Sequence, residues 1–131
     1  MGINSRDKGA RYERETAKYL QGFGYDASRS AQWCGKTGQA DVIGLPKIHI
    51  ECKHYKNRAF DYTWMDQAKR DARPGEIPVV FHKKNNAEVL VTLTLDGFMQ
   101  IYKDFELEYL AAERYRNEQV RQYVKEGETD A

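Results

Sequence analysis

The sequence predicts an α/β sandwich in which helices flank a mixed β-sheet of about five strands. Three observations favour this fold class. Apolar residues near the N-terminus recur at three- and four-residue spacing, which is typical of an amphipathic helix. Five short alternating or apolar runs follow, and a second helical pattern separates the third run from the fourth. With 131 residues the chain is predicted to form one domain, with a core over about 5–93 and a C-terminal helical extension over about 95–125.

The first half of the chain is predicted to form one helix and a three-stranded meander. Residues 6–23 favour a helix because Tyr12, Thr16 and Leu20 recur on one side of it. The stretch 31–40 is rich in glycine and glutamine and predicts a loop. The three predicted strands are 25–30, 41–45 and 47–53.

The second half continues with a helix, two strands and two further helices. Residues 61–73 fit a helix that Pro74 stops. The last predicted helix is acidic overall, and we expect it to pack on the domain or on a second subunit. The remaining predicted elements are strands 77–83 and 89–92 and helices 95–102 and 104–125.

The composition excludes two broad classes of protein. Charged residues make up 31% of the chain and hydrophobic residues 40%, which is typical of neither a disordered tail nor a membrane protein. No apolar run approaches the roughly 20 residues of a membrane-spanning helix. The N-terminus has no apolar stretch of the kind found in a secretory signal. We therefore expect a cytoplasmic protein in which Cys34 and Cys52 are reduced thiols.

The net charge of +1 conceals an uneven distribution. Residues 1–84 carry a net charge of +6, and residues 85–131 carry −5. This asymmetry predicts a surface for an anionic partner in the first two thirds of the chain, although an unevenly charged solvated surface explains it equally well.

Two carboxylates are predicted to meet beside a lysine. Alternation along strand 47–53 places Glu51 and Lys53 on one face, and a tight connection at Pro46 brings Asp41 beside Glu51. Paired carboxylates suit Mg²⁺ or Mn²⁺, and a neighbouring lysine can stabilise charge on a phosphate. The pattern is common, however, and a surface hairpin with a cross-strand ion pair would show it too.

Glu13 favours the functional interpretation. It lies on or at the edge of the apolar stripe of the first helix. A carboxylate that points inward costs several kcal/mol unless a cation or donor meets it. A metal ion held by Asp41 and Glu51 would supply that charge; alternatively, Glu13 flanks the stripe and reaches water.

These residues resemble the PD-(D/E)xK nuclease superfamily, and within it the archaeal-type Holliday junction resolvases and their bacteriophage relatives. Ala40, just before Asp41, occupies the position at which the PD-(D/E)xK motif has proline. The resemblance covers about residues 5–93 and implies a restriction-endonuclease-like fold. It rests on the order of five elements: Glu13, Arg29-Ser30, Asp41-Val42-Ile43, Glu51-Cys52-Lys53 and Gln67.

The resemblance also implies a mechanism. Asp41, Glu51 and the carbonyl of Cys52 would hold Mg²⁺, for which Mn²⁺ could substitute, and Glu13 would hold it through water. Lys53 would act on the nucleophile. The implied enzyme is an endonuclease that resolves four-way DNA junctions as a homodimer, with no organic cofactor and no membrane partner. The residues implied to lie close to the catalytic centre are Ser30 and Gln67.

Basic residues around this site are expected to contact DNA phosphates, which gives affinity without sequence preference. Trp33, in the predicted loop, could stack on a base or pack under its own loop. The candidate DNA contacts are Arg6, Lys8, Arg11, Arg14, Arg29, Lys36, Lys56, Arg58 and Lys83.

Other interpretations remain open at this stage. A restriction-like or general phage nuclease would use the same chemistry on a different target, and a non-catalytic DNA-binding module has no need of the carboxylates. A cysteine nucleophile at Cys34 has no supporting context. A zinc site could be formed by Cys34, His49, Cys52 and His54. It is disfavoured because strand alternation places His49 on the face opposite Cys52 and His54.

Overall fold

The computed structural model describes residues 5–30 and 39–129. The chain divides into two compact units, Met1–Thr94 and Leu95–Ala131. The loop predicted at 31–40, with Trp33, Cys34 and Lys36, falls almost wholly outside the described residues.

The first unit contains the five-stranded mixed sheet that the sequence predicts. Helix α1 precedes the sheet and helix α2 connects β3 to β4. The sheet has strand order β1-β2-β3-β4-β5, so each strand lies beside its neighbour in the chain. All neighbouring strands are antiparallel except β3 and β4, which are parallel. The bounds are α1 Ser5–Gln21, β1 Ser28–Arg29, β2 Val42–Ile43, β3 Ile48–Tyr55, α2 Tyr62–Asp71, β4 Ile77–Lys84 and β5 Leu90–Leu93.

Two apolar clusters cover the two faces of the sheet. Val79 belongs to the cluster that contains Tyr12 of α1, whereas the next residue, Val80, packs with Met65 and Ala68 of α2. Adjacent residues of a strand point to opposite faces, so α1 and α2 lie on opposite sides of the sheet. The Tyr12 hydroxyl also donates to the carbonyl of Phe81 at 3.0 Å, which attaches α1 to β4.

Helix α2 begins at a side-chain cap. The carboxylate of Asp61 accepts hydrogen bonds from the main-chain N–H of Thr63 at 2.9 Å and from its hydroxyl at 2.6 Å. The helix ends at Asp71, ahead of Pro74. Glu51 of β3 lies opposite Val80 of β4, and Val80 packs against α2, so the face of β3 that carries Glu51 is the face beneath α2.

Gly44 lies at a close approach between the first two strands. It follows β2 with a φ of 123°, a conformation that L-residues rarely adopt. A Cβ at this position would lie 2.5 Å from the Cα of Ala27 and 2.5 Å from the carbonyl oxygen of Asp26. Only glycine fits here without displacing the backbone that leads into β1.

The second unit corrects one prediction. The two expected helices, 95–102 and 104–125, are a single helix, α3, which spans Leu95–Thr129. Asp104 was expected to begin a new helix, but the residues around it include neither glycine nor proline, so nothing ends the first. The rings of Phe98, Tyr102 and Phe105 follow one another at 6.1 Å through the expected break.

None of the described helices is both long and apolar enough to cross a membrane.

Candidate active site

The two carboxylates expected to meet do so. Asp41 lies just before β2, and its main-chain N–H donates to the carbonyl of Ile50 at 2.9 Å. Its side-chain Oδ2 accepts from the main-chain N–H of Cys52 at 2.8 Å. The Asp41 carboxyl lies close enough to that of Glu51, which is 1% exposed, for the charge of Glu51 to raise the pKa of Asp41. The antiparallel pairing of β2 with β3, in which Val42 lies opposite Ile50, therefore brings the two groups into contact.

This contact needs a positive charge or a proton. Burial, and after it the charge of Glu51, raise the pKa of Asp41 to about 7, although the hydrogen bond from the Cys52 N–H opposes the shift. Two buried carboxyl groups this close together repel each other unless one of them is protonated. A divalent cation between the two would replace that proton and let both ionise. The donor set therefore fits a hard cation.

Glu13 points inward as predicted, but it has a partner from the protein. It is 8% exposed, and its Oε2 accepts a hydrogen bond from Arg29 Nε at 2.5 Å. Arg29 thus supplies the positive charge that the sequence analysis assigned to a metal ion. Glu13 remains close enough to Asp41 that its charge also raises the pKa of Asp41.

Ser30 lies beside the carboxylates with an unsatisfied hydroxyl. Its main-chain N–H donates to the carbonyl of Asp41 at 3.0 Å, and the residue is 3% exposed. Among the described residues its buried Oγ has no hydrogen-bond partner. An orphaned buried hydroxyl on a residue whose main chain pairs with Asp41 fits a site that takes up a further polar group.

Lys53 and Gln67 meet above the same face of β3. Lys53 Nζ donates to Gln67 Oε1 at 2.9 Å, and both side chains are half-buried. Strand alternation places Lys53 on the side of Glu51, and the β3–α2 connection places Gln67 over it. Gln67 therefore holds the ammonium group over the face of β3 that carries Glu51.

His49 is a site residue that the sequence analysis did not assign to the carboxylate site. Its Nε2 lies 2.9 Å from Glu51 Oε1, and its ring is 1% exposed. Burial lowers the pKa of His49, but its hydrogen bond and charge interactions with Glu51, Glu76 and Asp71 outweigh burial and raise it. The signal was present in the sequence, since alternation already placed His49 on the face of Glu51.

The zinc alternative has no support in the described part of the chain. Within residues 5–30 and 39–129, no three His, Cys, Asp or Glu side chains are arranged to hold a metal ion. Cys52 and His54 point to the α1 side of β3, away from His49, and Cys52 is a buried free thiol whose pKa burial raises. The donors available at the site are therefore the two carboxylates and nearby main-chain oxygens.

Three of the nine basic residues expected to contact DNA lie together. Lys8, Arg11 and Lys83 line a cleft of about 560 Å³ between α1 and the ends of β3 and β4. Lys8 Nζ donates to Asn85 Oδ1 at 2.9 Å. Burial lowers the pKa of His54 in this cleft, and the charges of Lys8 and Lys83 lower it further. Glu15 also lines the cleft and is ion-paired with Arg11 at 3.3 Å, so the cleft has three basic side chains and one carboxylate.

The other candidate DNA contacts are not gathered in this cleft. Arg29 is paired with Glu13, and Arg58 donates to Asp61 Oδ2 at 2.8 Å with its guanidinium 5.3 Å from the centre of the Trp64 ring. Lys36 lies outside the described residues. The cleft lined by Lys8, Arg11 and Lys83 does not include the exposed residues Arg6, Arg14 and Lys56.

Comparison with known proteins identifies the family. The family model described as "Phage putative PDDEXK endonuclease" matches residues 4–128. The chain belongs to this family. No curated protein matches the chain.

A solved structure shares the fold of this PDDEXK endonuclease. Hjc, a Holliday junction resolvase from Archaeoglobus fulgidus, matches with a TM-score of 0.53 and 24% sequence identity. The match covers 66% of this chain and 72% of Hjc. The predicted restriction-endonuclease-like sandwich is therefore confirmed, as is the resemblance to the PD-(D/E)xK nucleases.

Proposed function

We propose that this endonuclease resolves four-way DNA junctions in a reaction that depends on Mg²⁺, which Mn²⁺ can replace. The observation that carries the proposal is the buried Asp41–Glu51 pair, with Lys53 on the same face of β3 as Glu51. The fold shared with a junction resolvase supports the choice of substrate. Activity in the host cytoplasm would follow from the phage family of the chain.

Each site residue has a proposed role. Asp41, Glu51 and the carbonyl of Cys52 hold the metal ion, with Glu13 acting through water. When bound, the metal ion activates water and stabilises the charge that develops at the phosphodiester. Lys53 places its ammonium beside that charge, because Gln67 holds it there. Ser30 offers its free hydroxyl to the polar groups that enter the site.

The DNA is proposed to bind through the basic residues of the first unit. The cleft lined by Lys8, Arg11 and Lys83 takes a backbone phosphate, and the remaining candidate residues contribute contacts elsewhere on the surface. A four-way junction presents two symmetry-related strands, so a twofold homodimer would place one site at each strand.

The test compares a four-way junction with a linear duplex of the same sequence, each with Mg²⁺ and with chelator. The wild-type protein should cut the junction in Mg²⁺ only. Asp41→Asn and Glu51→Gln should abolish cleavage but bind DNA as tightly or more tightly, because the lost negative charge also repelled phosphate. Asp66→Asn, an exposed residue of α2, is the matched control and should cut normally.

Two results would contradict the proposal at different levels. Normal cleavage by Asp41→Asn or Glu51→Gln would disprove the metal centre. Equal cleavage of linear duplex and junction would disprove junction selectivity and leave a general phage endonuclease of the same chemistry.

A further inference from the structure

His49 lies on β3 two residues before Glu51, so both side chains point to the α2 side of the sheet. The strand interior around it is apolar: Ile50 is fully buried in β3, and Val80 is fully buried in β4. Burying a polar ring here costs free energy that a valine or isoleucine would not cost. Packing alone therefore does not account for a histidine at this position.

The two ring nitrogens of His49 lie between two carboxylates. Nε2 is 2.9 Å from Glu51 Oε1, and Nδ1 is 3.9 Å from Glu76 Oε1. Glu76 is itself held, because its Oε1 accepts the main-chain N–H of Arg73 at 2.7 Å. A row of side chains thus runs from the connection between α2 and β4 to the carboxylate of Glu51.

Glu51 is held from two sides. Its Oε1 contacts His49, and its carboxyl adjoins that of Asp41, which the Cys52 main-chain N–H holds in place at 2.8 Å. A glutamate side chain has three rotatable bonds, so a carboxylate without such contacts would sample several orientations. The contact with His49 removes that freedom and leaves the group facing Asp41.

His49 has no access to a substrate. Its ring is 1% exposed, and both nitrogens face carboxylates rather than open space. A direct role as acid, base or phosphate ligand is therefore excluded by its surroundings. The role left to it is to orient Glu51.

We propose that His49 is a positioning residue that fixes the carboxylate of Glu51 in the orientation required to bind the divalent metal ion beside Asp41. This inference rests on the proposed metal centre. Histidines and carboxylates behind a metal ligand commonly change metal affinity by about 10- to 100-fold when they are replaced.

The test measures Mn²⁺ affinity of the DNA-free protein by calorimetry or electron paramagnetic resonance, with three variants at position 49. In His49→Gln the amide nitrogen can reach the place of Nε2, so affinity should stay within about threefold of wild type. In His49→Asn the same amide is one methylene shorter, and in His49→Leu it is absent. Both should weaken Mn²⁺ binding about 10- to 100-fold.

A second readout separates positioning from general damage. The Mg²⁺ concentration for half-maximal cleavage should rise with the Mn²⁺ dissociation constant, while kcat at saturating Mg²⁺ should change less than about fivefold. His82→Gln is the matched control, because His82 is also a buried strand histidine but hydrogen-bonds to Tyr55 and Thr92 and packs against the rings of Phe60 and Trp64. It should leave Mn²⁺ affinity unchanged, whatever its effect on thermal stability.

The outcomes are distinguishable from failure of the proposed function. Wild-type Mn²⁺ affinity in a folded His49→Leu or His49→Asn protein would overturn the role of His49 alone. A wild-type protein that binds Mn²⁺ but cuts no DNA would overturn the proposed reaction and leave the role of His49 standing. Absence of Mn²⁺ binding by the wild-type protein would overturn both.

Discussion

The position of the Lys53 side chain depends on two elements, β3 and α2. Strand alternation alone places it on the face of Glu51, but its partner Gln67 comes from α2. We expect Lys53→Ala to lower kcat by about 10²- to 10³-fold, as for other groups that stabilise transition-state charge. Gln67→Ala removes one hydrogen bond, worth about 1 kcal/mol, and should lower kcat about fivefold.

These two variants are measured in single-turnover cleavage at saturating Mg²⁺, with metal affinity determined separately. Metal affinity should be nearly unchanged in both. If Lys53→Ala instead lost metal affinity and kept its turnover, Lys53 would be a structural partner of the carboxylates.

His82 predicts how stability depends on pH. Its ring is buried between the Tyr55 hydroxyl, 3.0 Å from Nδ1, and the Thr92 hydroxyl, 2.8 Å from Nε2. Burial lowers the pKa of His82, so the folded protein holds it neutral while the unfolded chain protonates it below about pH 6.5. Its contribution to stability is therefore present above that pH and lost as the pH falls towards the lower pKa of the folded state.

Urea unfolding at pH 7.5 and at pH 5.5 tests this. The free energy of unfolding of the wild-type protein should fall more between these pH values than that of His82→Gln. His54, whose pKa is also lowered, remains in both proteins and so cancels in the comparison. An equal pH dependence in the two proteins would show that His82 titrates normally.

At the scale of single elements, the strand that follows Asp41 depends on a glycine. Gly44→Ala should destabilise the protein by about 2 kcal/mol or more, because a positive φ costs about 1–3 kcal/mol and the added Cβ also meets the backbone at 2.5 Å. Gly9→Ala, in α1, is the control. Its Cβ would meet nothing within 4 Å, and alanine should stabilise the helix by up to about 1 kcal/mol.

Chemical denaturation of both variants gives the comparison. Similar stability of Gly44→Ala and wild type would mean that the connection after β2 relaxes without cost. A loss of stability in Gly9→Ala would mean that α1 is constrained at that position.

The elements also show what the sequence can and cannot predict. Alternation in β3 depends only on the strand itself, so it correctly placed Glu51 and Lys53 on one face. The partner of Glu13 depends on β1, a strand of two residues, and local periodicity contains no information about Arg29. The sequence analysis divided α3 in two because aspartate often begins a helix, as Asp104 was expected to do. No glycine or proline near Asp104 ends the preceding helix, however, so the helix continues.

At the scale of the whole molecule, α3 carries a stripe of exposed apolar residues that suits a second copy of the chain. Successive residues of the stripe are three or four positions apart, as in a coiled coil. The order of these spacings is the same when it is read from either end of the stripe. An antiparallel partner would place Phe98 opposite Tyr109 and Tyr102 opposite Phe105. A parallel partner would instead bring acidic residues that flank the stripe close together. The stripe is Leu95, Phe98, Tyr102, Phe105, Tyr109 and Ala112.

We therefore expect the proposed homodimer to pair through α3. Phe105→Glu should give a monomer at micromolar concentration, because it would bury a charge at the centre of the pairing. Leu107→Glu, an equally exposed apolar residue outside the stripe, should remain dimeric. Light scattering after size-exclusion chromatography measures both, and a monomeric wild type or a dimeric Phe105→Glu would disprove this seam.

The strand order, which follows the chain order, has a consequence for folding. Except for the parallel β3–β4 pairing, which joins residues 29 positions apart, every pairing in the sheet joins residues at most 15 positions apart, so the entropy lost on closing these loops is small. Folds dominated by such short-range pairings fold faster than those that must first join distant segments. The two carboxylates belong to one such local pairing, β2 with β3. The two carboxylates therefore come together, at an electrostatic cost, in a folding step that closes only a short loop.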